Sequence, residues 1–496
     1  MKKLIAALLC LIMLLSMLAA CSDKGDDTPG TDTGGGSDSV GGTEQETDEE
    51  GFLVDGLPSV TYGGKDVSIL TWDLLNDYRF PAQVTTDTVA YAAYMRNEAI
   101  QDRFDVNFKT QVIPGHWDVL NDFIAQAEKA NDVGYDLICS YSLAQSPLAL
   151  KGITMNMLTL DYPQFDQVWW SESVEAWTQF NSLFFACGTS SATNFSSMMV
   201  IYYLREAVES IDGLEDPAQL VVDGEWTLEK LIEYSSNWDG PNVDDPNGLY
   251  GFAASHYSAM DDFYYSAGFK AVEPDETKGL VLSSSQTHLN LVTQYVDNLF
   301  RLLDRDGAVI APAYGTSEFD LLNNKKAVFM LQGMVQLTYM EDTRYGVLPT
   351  PAWTTEQAAA GNYHVLNNNG YDVWSIPKST QDAAMAGVIL DAIVYSDYHD
   401  IAPVYYEKRL KYRYSDSLLG FQIFDIIRNA QVYDFGRITQ VTTGGIAETP
   451  FRACFWGGDT MVFNNSYATT LSGNLQKYNN TLDELLTLYK IAASKK

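Results

Sequence analysis

Trp72-Asp73 sets an indole beside a carboxylate at the end of an apolar run, Val67-Ser68-Ile69-Leu70-Thr71-Trp72. An indole face stacks on the apolar face of a sugar ring, and a carboxylate accepts hydrogen bonds from hydroxyls. Together they suit capture of a polyhydroxylated solute. Gly370-Tyr371, after Asn367-Asn368-Asn369, would let backbone approach a ligand, although an Asn/Gly turn has the same composition. Asn194 offers a short amide just ahead of another apolar run, and Trp456, between Phe455 and Gly457-Gly458, offers a late aromatic wall.

Patterns that would announce catalysis are absent. The chain has no G-x-S-x-G, no H-E-x-x-H, no G-x-x-x-x-G-K and no G-x-G-x-x-G. Its 5 histidines are scattered, and none pairs with a cysteine at metal-ligand spacing. Asp239 to Gly248 lacks the alternation and glycine position of a calcium loop. Asp261-Asp262 is one of many acid pairs, but a glycosidase needs two carboxylates facing across a cleft, which adjacency does not supply. The expectation is a binding protein with no metal, no cofactor and no catalysed reaction.

The elements that would position these residues follow from periodicity. Val67 to Trp72 reads as a buried strand, Tyr91 to Arg103 as a helix, and Val106, Phe108, Thr110 and Val112 alternate as a strand. Val119, Leu120, Phe123, Ile124 and Ala127 recur at helical spacing before the strand Tyr135 to Ser140. This rhythm predicts α/β crossover units on a mainly parallel sheet. Met199 to Leu204 and Ala327 to Leu331 read as further strands, residues 286–303 as a helix, and Thr227 as the N-cap of a helix carrying Leu228, Leu231 and Ile232. Met385, Val388, Ile389, Ala392 and Ile393 mark an amphipathic helix, and Thr481 with Glu484 predicts a capping box opening a last helix. Trp169-Trp170 is assigned to packing.

Length and charge bound the rest. A chain of 496 residues is long for one core and predicts two lobes. Lys and Arg number 31 against 65 Asp and Glu, a formal charge of −34, which repels nucleic acid and anionic headgroups. Met1-Lys2-Lys3 precedes an apolar run of about 14 residues, short of the roughly 20 that a spanning helix needs, so residues 1–21 read as a secretory signal. Residues 22–56 are acidic, Gly-rich and poor in apolar side chains, as a disordered spacer would be. Of 5 cysteines, Cys10 leaves with the signal, while Cys139, Cys187 and Cys454 form either one bridge or three buried thiols.

Leu18-Ala19-Ala20-Cys21 is similar to the lipobox of bacterial lipoproteins, which implies that Cys21 becomes a lipid-bearing N-terminus. With that start, Gly134-Tyr135-Asp136-Leu137-Ile138, Asp223-Gly224-Glu225-Trp226-Thr227, Lys325 to Met330 and Tyr345-Gly346-Val347-Leu348-Pro349-Thr350-Pro351 resemble, in order, motifs of extracellular solute-binding proteins of ABC importers. The branch resembled is the carbohydrate-binding one related to maltose-binding protein, over roughly residues 60–490; residues 395–445 depart from its pattern. The resemblance implies a two-lobed periplasmic-binding-protein-like fold, with strand crossovers as hinge and a ligand cleft between lobes. One lobe would comprise 57–195 and 330–395, the other 196–329 and 396–496. It further implies that Ser140 and Tyr141 line the cleft, and that His256, Phe263 and Tyr264 form an aromatic platform on the second lobe. A monomer would deliver a carbohydrate to permease subunits, touching the membrane by its lipid only. A secreted glycan hydrolase would also be acidic and aromatic-rich, and a surface sensor or adhesin without a transporter would share the anchor and spacer.

Overall fold

The computed structural model describes residues 47–49, 51–115, 117–130, 134–255, 258–311, 320–321, 323–340, 345–412, 417–457 and 461–494. The signal segment, Cys21 and most of the 22–56 spacer lie outside these residues. The chain divides into a short unit, Met1–Val54, in which Thr47 bridges Leu53, and a large one, Asp55–Lys496. All that follows concerns the large unit.

Its strands are β1 (Lys65–Trp72), β2 (Val106–Ile113), β3 (Leu137–Tyr141), β4 (Met199–Leu204), β5 (Tyr250–Ser255), β6 (Val272–Asp275) and β7 (Gly279–Leu282). They continue with β8 (Ala308–Ala311), β9 (Ala327–Gly333), β10 (Tyr345–Leu348), β11 (Val365–Leu366), β12 (Asp372–Ser375) and β13 (Gln431–Val432). One sheet has the order β12-β3-β1-β2; a second runs β10-β4-β9-β5-β8. In the first, β1 pairs in parallel with β2 and β3, as the strand–helix rhythm predicts. The edge strand β12 runs antiparallel to β3. The second sheet departs further from a parallel one. There β5 is parallel to β8 and β9, but β4 is antiparallel to both β9 and β10. Strand β4, between β10 and β9, is wholly buried, its sequence MVIYYL apolar on both faces as a central strand requires.

Helix α1 (Thr88–Phe104) starts where the Asp87 carboxylate accepts the N–H groups of Val89 and Ala90, and it packs Val89, Ala93, Ile100 and Phe104 inward. Helix α2 (Trp117–Ala130) returns the chain to β3. Helix α3 (Leu228–Ser235) is capped by Thr227, whose hydroxyl accepts from the Lys230 N–H at 3.3 Å. Helices α4 (Ser258–Ser266) and α5 (Gln286–Leu303) follow, the latter with the bounds its periodicity gives.

Two helices differ from expectation. Helix α6 (Ala383–Ser396) is buried on every side from Met385 to Val394, not on one stripe. Its Asp391 accepts the indole N–H of both Trp169 and Trp170 at 2.9 Å and the backbone N–H of Gln164 at 2.8 Å. Burial raises that carboxyl above the usual range, and the three donors make its place in the core tolerable. After α7 (Thr449–Arg452), the last helix, α8 (Tyr467–Ala493), does not open at Thr481. An apolar stripe of Tyr467, Leu471, Tyr478 and Leu482 carries it through, and the Thr481 hydroxyl donates back to the Lys477 carbonyl at 3.1 Å. Between α6 and β13 the chain makes π-helical turns, Asp397–Ile401 and Pro403–Lys411, in the stretch that departs from the family pattern.

Cys139, Cys187 and Cys454 are free and buried. Burial pushes the Cys187 and Cys454 thiols up to about 11 and raises Cys139 as well. At pH 8 a thiol reagent should label none of them in the folded chain from Ser22 onward, and all of them after urea unfolding. Fast labelling of the folded chain would contradict this packing.

Candidate functional site

The carboxyl end of the first sheet gathers several of the residues singled out above. β1 ends at Trp72, β3 ends at Tyr141, and β12 begins opposite it, with Asp372 in register with Tyr141. The Trp72 indole N–H donates to Asp372 Oδ1 at 2.7 Å, and Arg79 Nε lies 2.8 Å from Asp372 Oδ2. The Arg79 guanidinium sits 5.4 Å over the indole, Tyr141 meets it edge-on at 5.6 Å, and the Gly115 backbone crosses its edge. A Cβ on Gly115 would stand 2.4 Å from the ring, so only glycine passes there. Trp72 is therefore locked at 2% exposure, with no open face for stacking. Its neighbour Asp73 is exposed and accepts the Gly115 N–H at 2.8 Å.

Tyr141 is half-buried and faces charges from distant segments. Arg437, Glu448 and Arg452 all bear on its hydroxyl, which burial first of all pushes upward. Asp261, on α4, accepts Arg437 Nη1 at 2.6 Å and both Nε and Nη2 of Arg452, at 2.8 and 2.5 Å. Arg452 also meets Glu448 at 2.9 Å. Burial alone would raise the Asp261 carboxyl, but the two arginines hold it below its usual value. Its neighbour Asp262 has no arginine. Burial pushes Asp262 up to about 7, against hydrogen bonds from the Thr350 hydroxyl and the Leu366 N–H. Each carboxyl of this acid pair thus has its own interior partners.

The other residues divide clearly. Ser140 is buried and accepts Gln145 Nε2 at 2.8 Å. Asn194 is buried in a polar seam: its Nδ2 donates to the Gly188 carbonyl, and its Oδ1 accepts Asn367 Nδ2, both at 2.6 Å. Asn367 donates onward to Gln431, which also accepts the Tyr433 hydroxyl. Gly370 is partly exposed, and a Cβ there would only touch Leu74 at 3.7 Å, so no close approach demands glycine. Tyr371 is buried, its hydroxyl raised by burial, within reach of Ser142 and Arg437. Phe263 and Tyr264 do not form a platform. They are core, Phe263 against Phe252, and Tyr264 among Tyr265, Phe269, Phe451 and Tyr467. His256 lies outside the described residues. Trp456 is partly exposed one turn beyond Arg452, whose carbonyl accepts its N–H at 3.0 Å.

The fold thus brings Asp73, Tyr141, Gly370 and Tyr371 to one sheet end, with Arg437 within electrostatic reach of both tyrosines and Glu448 and Arg452 within reach of Tyr141. Sequence reasoning missed both arginines, because Arg437 meets Asp261 across 176 residues. No group of three His, Cys, Asp or Glu among the described residues could hold a metal. A separate cavity of about 310 Å³, between Glu172–Gln179, the β6–β7 hairpin and Tyr433–Phe435, contains none of the residues chosen from sequence.

No protein-family model and no curated protein sequence matches the chain. Solved structures do match. The galacto-N-biose-/lacto-N-biose I-binding protein of an ABC transporter from Bifidobacterium longum superposes with a TM-score of 0.57 at 11% identity, covering 86% of this chain and 98% of that one. A solute-binding protein of an ABC transporter from Thermotoga lettingae, bound with α-D-tagatose, gives 0.53 at 14% identity over 85% and 100%. The sugar-binding protein MalE of Xanthomonas citri gives 0.52 at 10% identity over 87% and 98%. This chain has the two-lobed α/β fold of the sugar-binding proteins of ABC transporters.

Proposed function

We propose that the protein is an extracellular receptor that captures a carbohydrate or oligosaccharide between two lobes and hands it to an ABC permease. The observation that carries this reading is the fold likeness to sugar-binding proteins over 86% of the chain. The lobes would centre on the two sheets, one comprising 57–195 with the chain after β10 to about 395, the other the chain from 196 through β10 with 396–496. Because β9 and β10 pair within the second sheet, the return to the first lobe would fall between β10 and β12. Ligand touching both lobes only when they close would favour closure by its differential contacts. Asp73, Tyr141, Gly370, Trp456 and His256 would contact the sugar, with Trp72, Ser140, Asn194 and Tyr371 holding the sheet end beneath them. Such a receptor carries out no reaction.

Cys21 would carry the lipid that keeps the receptor at the cell surface, with 22–56 as its tether. Among the described residues no helix is long and apolar enough to cross a membrane. The wild type should incorporate radiolabelled palmitate when produced in bacteria and Cys21→Ala should not; no incorporation into the wild type would exclude the anchor.

The test of cargo is thermal melting of the chain from Ser22 onward against sugars, oligosaccharides, amino acids and peptides. A ligand binding only the folded state stabilises it by about 2.7 kcal/mol at a hundredfold excess over Kd. A shift with one sugar class, the sugar recovered unchanged, is expected. Shifts with peptides alone would remove the carbohydrate claim, and a consumed sugar would remove the receptor.

A further inference from the structure

Arg437 lies in the short turn Phe435–Ile438, where its backbone N–H is held by the Asp434 carboxylate at 2.8 Å. Its side chain is only 4% exposed, yet one nitrogen makes all of its polar contacts. Nη1 takes Asp261 at 2.6 Å, Gln440 at 3.3 Å and Glu448 at 3.5 Å. Nε and Nη2 meet no acceptor among the described residues. These two atoms form one edge of the guanidinium, the fork that grips two adjacent oxygens in its own plane. The hydroxyl of Tyr265, 2% exposed, also has no partner among the described residues and lies within electrostatic reach of Arg437. Tyr141 and Tyr371, at the end of the first sheet, feel the same charge.

We propose that the free edge of Arg437, with the Tyr265 hydroxyl, is a subsite for two neighbouring oxygens of the ligand. This deepens the receptor reading and rests on it. The charge of Arg437 is already answered by Asp261 and Glu448, so the subsite offers directed donors more than net charge. Two vicinal hydroxyls of a neutral sugar and the carboxylate of a sugar acid both present oxygens at the spacing of the fork. A buried cationic edge without acceptors disfavours a closed, empty cleft, because donors taken out of water need partners. Ligand oxygens supply them, which is a differential contact of the kind that couples capture to closure.

The test is calorimetric titration of wild type and Arg437→Lys with the sugar giving the largest melting shift, and with its uronic acid counterpart. Lysine keeps a cation on Asp261 but has no second edge. Affinity for the preferred ligand is expected to fall about 10–100-fold, with far-ultraviolet circular dichroism unchanged. Preference of wild type for the neutral sugar assigns the oxygens to a diol, and preference for the acid assigns them to a carboxylate. Wild-type affinity in Arg437→Lys would overturn the proposal. Should that variant fail to fold, Tyr265→Phe removes one hydroxyl and no packing; a loss of about 3–10-fold is expected, and unchanged affinity overturns the subsite equally. If no sugar binds wild type, the receptor reading fails before any variant is made.

Discussion

Asp372→Ala is expected to lower the free energy of unfolding by about 3–5 kcal/mol, read from urea denaturation. The carboxylate is 1% exposed and holds two partners at once, the Trp72 indole N–H at 2.7 Å and Arg79 at 2.8 Å. Alanine leaves the Arg79 guanidinium, itself 3% exposed, without its counter-charge, and leaves an indole donor unpaired. Removing one member of a buried ion pair is much costlier than removing both, since only the first leaves a charge behind. Arg79→Met combined with Asp372→Leu should therefore recover most of the loss. Asp372→Asn, which can still accept the indole N–H, should fall between. The loss also loosens the end of the first sheet, because Arg79 and Tyr141 both pack on the Trp72 ring. A cost for Asp372→Ala below about 1 kcal/mol would mean that Arg79 has water or another carboxylate to turn to.

Why sequence alone could place the end of the first sheet, but not what happens there, is clearest at Trp72. A run of Val, Ile, Leu and Trp bounded by polar residues marks β1 because both faces of a central parallel strand are covered. That rule says nothing about which side chain beyond the strand stays open. Trp72 is closed by Gly115, Arg79 and Asp372, which come from three separate segments. Phe263 and Tyr264 fail as a platform for the same reason, since aromatic residues on an amphipathic helix serve a core as readily as a ligand. Local signals did transfer. Thr227 caps its helix, and residues 286–303 form one, because hydroxyl capping and a 3.6-residue period are properties of the local chain.

Long-range charge pairing has no such signature. Arg437 meets Asp261 only when the fold brings α4 to the turn at Phe435, and Arg437 itself lies in the stretch 395–445 that departs from the family pattern. Thr481 shows the converse error. A hydroxyl followed three residues later by Glu484 matches a capping box, but Tyr478 and Leu482 continue the apolar stripe, so the helix runs on. The antiparallel strands β10 and β12 escape periodicity as well, because strand direction is set by where the chain returns.

The second large effect is one of pH, at Asp262. This carboxyl is fully buried beside Asp261, and burial pushes it to about 7 from an ordinary 3.8. The folded state therefore binds a proton that the unfolded state has already released across that interval. Stability from this group is complete below pH 3.8 and is lost as pH rises through about 7. The interval sets an upper bound of about 4 kcal/mol. Asp262→Asn imitates the protonated side chain: its carbonyl oxygen accepts the Leu366 N–H, and its amide can donate to the Thr350 hydroxyl. The variant should match wild type near pH 4 and exceed it increasingly toward pH 8, so the difference between their urea midpoints should open over that range. Parallel midpoints from pH 4 to 8 would show that Asp262 stays ionised in the fold, with the Thr350 and Leu366 donors strong enough to keep a bare carboxylate in the core.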